Sequence, residues 1–301
     1  VLLARLLAPG SINAEQFAFT LTTVPFAGAL SSLTYLTWVR LGLTRERARN
    51  WAFLHAFGSL IWAYAGSSFD LAPQAFFLFL GIVYGAEALT TNSRGCAALS
   101  GLGFLGLATT QETYSPLGVF VLLAVPWTTA RVMVRNVFGL LRRPALLYVV
   151  FGLILGLTSV FAYTFARFGD PFSTGRQTVL HPLVGSPLRG LPGLLFSPAK
   201  SIFLYSPLHV LGLIGLLRSL RSRSEVVLPL LGIFVGQVAL VSCLAFWAGE
   251  WAWGPRYLVA TSPLVILGAP FAFQSGRRWV VRVVAAVAVA VQLLSISVDH
   301  Q

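Results

Sequence analysis

The sequence Gly-Glu-Trp-Ala-Trp-Gly-Pro-Arg-Tyr-Leu (Gly249–Leu258) lies between two long apolar runs. It combines an acid, Glu250, with two tryptophans, a Gly-Pro turn and Arg256 in one short loop. A connector that only joined two helices would need none of these residues. The flanking runs therefore decide the fold, and the loop between them is the first candidate for a functional site.

The composition excludes an ordinary soluble domain. Of the 301 residues, 56% are hydrophobic and 10% are charged, whereas soluble domains carry roughly 25% charged residues. We therefore predict a polytopic membrane protein of the all-α class. The excess of 21 Lys and Arg over 9 Asp and Glu would suit a nucleic-acid partner. It is explained better by arginines in cytoplasmic loops, so no nucleic-acid binding is predicted.

The apolar runs predict about ten membrane spans, because a span needs about 20 mostly apolar residues. The predicted spans are Phe19–Val39, Trp51–Ala65, Pro73–Leu89, Cys96–Thr109, Ser115–Ala130, Ala145–Ala166, Ser201–Leu217, Val226–Trp247, Tyr257–Phe273 and Trp279–Val298. No internal repeat or linker divides the chain, so residues 1–301 form one predicted transmembrane domain.

The charges of the loops predict an orientation. Every second loop is rich in arginine, which is typical of the cytoplasmic side, and the remaining loops hold most of the acids. The longest outer loop is residues 167–200. The N-terminus would then lie outside without a signal peptide, so we expect a further span upstream of Val1. The predicted location is the plasma membrane, with the polar chemistry on the extracytoplasmic face.

Arg256 and Lys200 are the strongest candidates for substrate binding. Arg256 opens a span on the outer side, where the positive-inside rule gives no reason for it. Its planar fork suits a phosphate, and Lys200, the only lysine, would add a point charge. Glu250 is a candidate internal partner of Arg256. As alternatives, Trp253 and its neighbours would anchor the loop at the membrane interface, and Lys200 would only extend its charge towards water.

Several other polar residues have two interpretations each. Asp70 is either a helix cap or a carboxylate for proton abstraction. Glu112 lies in a polar break that is also typical of a solvated turn. Arg176 and His181, in the long outer loop, are candidates for contact with a sugar or phosphate.

The polar residues inside the predicted spans receive a structural interpretation. His55 and His209 are predicted to be packed or hydrogen-bonded rather than ligating. Glu87 is predicted to pair with Arg94, because an intramembrane acid is costly when it is alone. The two cysteines, Cys96 and Cys243, lie in apolar runs and indicate neither a disulfide framework nor a metal site.

The order of these features resembles the bacterial GT-C class of polytopic glycosyltransferases, which use polyprenyl-phosphate-linked sugars. The resemblance rests on the stretches Gly58–Asp70, Phe168–Gly175, Leu195–Pro207 and Trp251–Pro263, and it covers nearly the whole chain. The last stretch, with Trp-Gly-Pro-Arg-Tyr-Leu and a following Ser-Pro, is the most specific.

The resemblance implies transfer of a sugar to a cell-envelope glycan, lipid or protein on the outer face of the membrane. Arg256 and Lys200 would contact the lipid phosphate, and Asp70 would be an auxiliary acid. Residues 1–17 resemble the tail of the family's first outer loop. The family's main catalytic acid lies in that loop, so we expect it upstream of Val1 and expect residues 1–301 alone to be inactive. The further predicted contacts are Glu250, Trp253, Tyr257, Tyr205, Arg176, His181 and Glu112.

Two other functions remain open at this stage. A transporter or flippase of a lipid-linked substrate would normally show repeats and polar residues at mid-membrane. A non-catalytic membrane scaffold would not need Arg256 or Lys200. No cofactor is firmly implied, and no residue pattern specifies a divalent metal.

Overall fold

The computed structural model describes residues 12–67, 70–91, 93–110, 144–171, 185–222, 224–249, 252–273 and 278–297. These residues are mostly helical, with no strand among them. The helices are α1 (Ile12–Arg40), α2 (Arg45–Gly58), α3 (Leu60–Ala65), α4 (Leu71–Thr91), α5 (Arg94–Thr110), α6 (Pro144–Phe168), α7 (Pro187–Phe196), α8 (Ile202–Tyr205), α9 (Leu208–Ser219), α10 (Ser224–Ser242), α11 (Ser262–Ile266) and α12 (Arg278–Ser297). The prediction of an all-α chain is confirmed for the described residues.

Three of the helices are long and apolar enough to cross a membrane. Their spanning segments are Leu71–Ala88, Val150–Phe168 and Trp279–Ser297. Shorter apolar helices cover Leu208–Ser219 and Val226–Ser242. The chain thus has the features of a membrane protein, while the number of spans and their orientation stay predictions. The predicted span Ser115–Ala130 lies outside the described residues.

The outer helices of the bundle show apolar surface. Only 17% of Val150–Phe168 and 17% of Trp279–Ser297 is buried, against 72% of Leu71–Ala88. A large exposed apolar surface is unfavourable in water but ordinary against lipid tails. Helix α4 therefore belongs to the protein core, and α6 and α12 are suited to face lipid.

Two predicted spans are helices with a break. The span Trp51–Ala65 divides at Ser59, whose extended backbone separates α2 from α3 and whose hydroxyl accepts from the N–H of Ile61 at 3.3 Å. Serine is a favourable first residue for a new helix because its side chain caps the free N–H groups. The span Ser201–Leu217 divides at Ser206–Pro207, between α8 and α9.

The predicted span Tyr257–Phe273 does not form one regular α-helix. It consists of a 3₁₀ turn (Arg256–Leu258), the short helix α11 and a second 3₁₀ turn (Ala269–Phe271). Pro263 and Pro270 lack the N–H that a helix interior requires, and each proline ring crowds the preceding turn. The segment is nevertheless buried, since its core residues Leu258, Ala260 and Ile266 have almost no exposed surface.

Side chains from three helices satisfy carbonyl groups of this broken segment. Trp38 Nε1 donates to the carbonyl of Leu267 at 2.9 Å, and Gln237 Nε2 donates to that of Tyr257 at 3.0 Å. A guanidinium N–H of Arg218 donates to the carbonyl of Ala272. An unsatisfied backbone group costs several kcal/mol at membrane depth, so irregular backbone needs such partners.

Helices α4, α5 and α6 pack through glycines. A Cβ added to Gly103 would lie 2.4 Å from the backbone nitrogen of Gly81, and one added to Gly152 would lie 2.3 Å from the carbonyl oxygen of Gly101. Such contacts are possible only between backbones without side chains. The sequence interpretation of the Gly101–Gly103 pair as a packing feature is confirmed.

Glu87 has a different partner from the predicted one. Its carboxylate accepts a hydrogen bond from Arg40 of α1 at 2.7 Å, rather than from Arg94. The guanidinium of Arg40 also lies 5.1 Å from the ring centre of Tyr84, one turn before Glu87 on α4. The pair joins α1 to α4, so the structural interpretation of Glu87 fits although the predicted partner was wrong.

Candidate phosphate-binding site

The candidate site is built around the segment that links α10 to the broken segment. Gly254 has a φ of +61° and packs directly on Tyr205, since a Cβ at this position would lie 2.8 Å from Tyr205 Cγ. The neighbouring Trp253 meets the same tyrosine edge to face, with ring centres 5.0 Å apart. Glycine is needed here because it adopts positive φ without strain and leaves room for the ring.

Lys200 approaches this segment from the end of α7. The backbone N–H of Lys200 donates to the carbonyl of Ser197 at 3.2 Å and closes a turn. The side chain of the next residue, Ser201, caps α8. The Nζ of Lys200 donates to the carbonyl of Ala252 at 2.6 Å and to that of Gly254 at 3.3 Å. Two backbone acceptors therefore hold the only lysine of the chain against this loop, and its charge is directed at the protein rather than into water.

Arg256 is the second cation of the site. Its guanidinium lies 4.9 Å from the ring centre of Tyr257 and donates to the hydroxyl of that tyrosine at 2.8 Å. Its aliphatic part passes Gly249, where a Cβ would lie 3.0 Å from Arg256 Cγ. Gly249 has a φ of +70°, so the loop bends at a glycine where the arginine side chain comes close.

Three further residues hold the site in place and were not predicted as part of it. The hydroxyl of Tyr64, at the end of α3, donates to the carbonyl of Trp253 at 2.7 Å. Gln292 of α12 donates to the carbonyl of Tyr205 at 2.6 Å, and Gln237 of α10 supports Tyr257. The sequence could have indicated both glutamines, because each is a polar residue within an otherwise apolar run.

The two cations lie within electrostatic range of each other. Burial and the positive charge of Arg256 lower the pKa of Lys200 from its usual value of 10.5. Two like charges held close together destabilise one another. An anion placed between them would remove that cost, and phosphate has enough oxygens to accept from both groups.

The structure thus brings together Lys200, Tyr205, Trp253, Arg256 and Tyr257 from the predicted set. Asp70 lies at the start of α4, where its backbone carbonyl accepts from the N–H of Gln74 at 3.1 Å. Among the described residues, no hydrogen bond or ion pair joins Asp70 to Lys200 or Arg256. Its position fits the helix-cap interpretation, and its role as an auxiliary acid stays a prediction.

Four predicted site residues cannot be placed. Glu112, Arg176, His181 and Glu250 lie outside the described residues. The predicted pairing of Glu250 with Arg256 and the predicted sugar or phosphate contacts of Arg176 and His181 therefore stay predictions.

The two histidines of the predicted spans, His55 and His209, are fully buried. His209 Nδ1 lies 3.1 Å from the carbonyl of Ser206, and His55 stands edge to face with Trp38. Within the described ranges, no group of three or more His, Cys, Asp or Glu residues could hold a metal ion. The histidines fit the prediction of packed side chains.

No protein family, curated protein or solved structure matches the chain significantly. The functional interpretation therefore rests on the geometry of the site and on the resemblance of the sequence motifs.

Proposed function

We propose that this chain is part of a membrane glycosyltransferase that takes its sugar from a polyprenyl-phosphate donor. The observation that supports the proposal best is the convergence of Lys200 and Arg256 on the segment Ala252–Tyr257. Two ordered cations beside aromatic rings suit a lipid phosphate at the membrane interface.

In the proposed reaction, an acceptor hydroxyl oxygen attacks the anomeric carbon of the donor sugar. The bond between that carbon and the phosphate oxygen breaks, and the phosphate leaves with the electron pair. A general base takes the hydroxyl proton. Lys200 and Arg256 would stabilise the negative charge that develops on the leaving phosphate. Asp70 is the proposed auxiliary acid, and the acceptor is a glycan, lipid or protein of the cell envelope.

The first test is binding of polyprenyl monophosphate to the purified chain in neutral detergent. Arg256→Gln and Lys200→Gln should each weaken binding about tenfold to a hundredfold, as expected for one lost hydrogen bond between charged groups. Polyprenyl alcohol, which has the same tail without phosphate, should bind weakly and equally to all variants. Arg256→Lys keeps the charge but loses the fork, so it should retain part of the affinity.

Arg189→Gln is the matched control, since Arg189 is an exposed arginine of α7 and lies in the same predicted outer loop as Lys200. Its binding should equal that of the wild type. Thermal unfolding of each variant separates a lost contact from a lost fold. Wild-type binding by Arg256→Gln, or equal binding of the alcohol and the phosphate, would reject the proposal.

Sugar transfer is measured in membranes that contain the full-length parent protein and a polyprenyl-phosphate hexose. Transfer releases free polyprenyl monophosphate. Movement of the intact sugar lipid to the opposite leaflet would instead indicate the flippase alternative. The scaffold would be favoured if neither transfer nor movement occurred and if Arg256→Gln and Lys200→Gln both bound polyprenyl monophosphate as the wild type does.

A further inference from the structure

A long groove runs along the faces of α1 and α2 and continues onto α3, where Ala63 and Ala65 line it on either side of Tyr64. Its cavity volume is about 1210 Å³. On α2 it is lined by Arg45, Arg49, Phe53 and Phe57. These residues are four positions apart, so they form one line along the helix. The groove thus has a cationic end and an aromatic wall on a single helix.

The opposite wall, on α1, consists largely of small residues. Ala27, Gly28, Ser31 and Ser32 line the groove, and a Cβ added to Gly28 would meet nothing within 4 Å. The wall extends from Val24 to Leu36, a length of about 18 Å at 1.5 Å per residue. The hydrocarbon core of a bilayer is about 30 Å thick, so this α1 wall is slightly longer than the depth of one leaflet. The α2 wall continues past Phe57 onto residues 61–63 and 65 of α3 and onto Gly66.

The groove exposes apolar side chains between its ends. Phe53 is 59% exposed, Val24 48% and Phe57 44%. Such a surface would be covered by an apolar chain when the protein is in a membrane.

The cationic end of the groove has charge available for a ligand. Arg45 and Arg49 are exposed, and neither forms a salt bridge with any residue that the structure describes. Glu46 also lines the groove, which leaves an excess of one positive charge there. Arg40, by contrast, lies five positions before Arg45 and is engaged by Glu87.

We propose that this groove binds one anionic phospholipid from the leaflet on the arginine-rich side. Its phosphate lies on Arg45 and Arg49, and one acyl chain lies between Phe53, Phe57 and the small residues of α1. The guanidinium forks supply charge-assisted hydrogen bonds to phosphate oxygens, and the α1 wall is long enough for an acyl chain from one leaflet. The proposal does not rest on the proposed transferase function.

The experiment compares an anionic with a zwitterionic lipid, and an arginine that lines the groove with one that does not. The delipidated protein in neutral detergent is titrated with phosphatidylglycerol or phosphatidylcholine of identical acyl chains, and bound lipid is counted by native mass spectrometry. The wild type should prefer phosphatidylglycerol. Arg49→Gln should weaken that binding about tenfold, the size expected for one lost hydrogen bond between charged groups. Arg47→Gln should leave it unchanged, because Arg47 is exposed on the same helix but does not line the groove.

A second pair of variants tests the apolar part. Gly28→Phe fills the groove and should reduce binding of both lipids. Gly232→Phe is its control, because Gly232 also has open space around its Cβ position but lies on α10, outside the groove. Thermal unfolding of both variants reports whether they fold, and the arginine pair tests the site even if Gly28→Phe does not.

Four results would overturn the proposal. Equal losses for Arg49→Gln and Arg47→Gln would indicate general surface attraction. Normal lipid binding by a folded Gly28→Phe would exclude the groove. If Gly28→Phe lost polyprenyl monophosphate binding but kept phosphatidylglycerol binding, the groove would be assigned to the prenyl tail. If Gly28→Phe converted a dimer to a monomer, the groove would be assigned to a helix of a partner subunit.

Discussion

At the scale of single residues, Gly254 controls the geometry of the candidate site. Replacement by alanine should lower the free energy of unfolding for two reasons. A side chain at a φ of +61° costs about 1–2 kcal/mol, and its Cβ would lie 2.8 Å from Tyr205 Cγ, which adds about 1–3 kcal/mol for overpacking. The measurement is thermal unfolding in detergent, followed by tryptophan fluorescence.

Gly42→Ala separates the two causes. Gly42 also has a positive φ, +93°, but a Cβ there would meet nothing within 4 Å. Gly42→Ala should therefore show only the conformational cost and a smaller loss of stability. If both variants lost the same stability, the close contact between Gly254 and Tyr205 would not matter for the site.

At the scale of elements, the segment Arg256–Phe273 depends on hydrogen bonds that other helices supply. Trp38→Phe removes the N–H that satisfies the carbonyl of Leu267 at 2.9 Å and keeps most of the aromatic volume. A buried carbonyl without a partner costs about 1–3 kcal/mol. We expect a loss of that size in the free energy of unfolding, measured by denaturant titration in detergent.

Trp279→Phe is the control for this substitution. Trp279 lies at the start of α12 and is 67% exposed, whereas Trp38 is fully buried. The control should change the stability little. Equal effects of the two substitutions would mean that the Trp38 hydrogen bond does not stabilise the broken segment.

At the scale of the whole molecule, composition and hydropathy were sufficient to predict helices, three of which, among the described residues, are long and apolar enough to cross a membrane. The runs Phe19–Val39, Cys96–Thr109 and Trp279–Val298 correspond closely to α1, α5 and α12. Hydropathy failed at Tyr257–Phe273, because it reports burial in apolar surroundings and not backbone regularity. Pro263 and Pro270 were the available signal that the helix would break.

The candidate site was predictable only in part. The residue types indicated Lys200 and Arg256, since a cation on the outer side has no role in orienting the chain. The acceptors of Lys200 are backbone carbonyls, Ala252 and Gly254, and a sequence does not show where carbonyls point. The contact of Tyr64 with Trp253 spans 189 positions, a separation that only the folded chain reveals.

The arrangement of charge across the molecule makes a prediction about topology. Ala199 and Ser222 are exposed and lie beyond opposite ends of α8 and α9. Helices α8 and α9 have 4 and 12 residues, which together give about 24 Å of helix at 1.5 Å per residue, somewhat less than the roughly 30 Å hydrocarbon thickness of a bilayer. Because the loop after Ser219 is rich in arginine, the C-terminal end of α9 should be cytoplasmic, and the N-terminal end of α8, next to Lys200, should face outwards.

The test uses single cysteines in a background where Cys96 and Cys243 are replaced by alanine. A membrane-impermeant maleimide should label Ala199→Cys in intact cells, and it should label Ser222→Cys only after the membrane is permeabilised. Labelling of both positions from outside would mean that α8 and α9 do not cross the membrane. The reverse pattern would place Lys200 and Arg256 on the cytoplasmic face, and the donor phosphate would then have to be presented from the cytoplasmic leaflet.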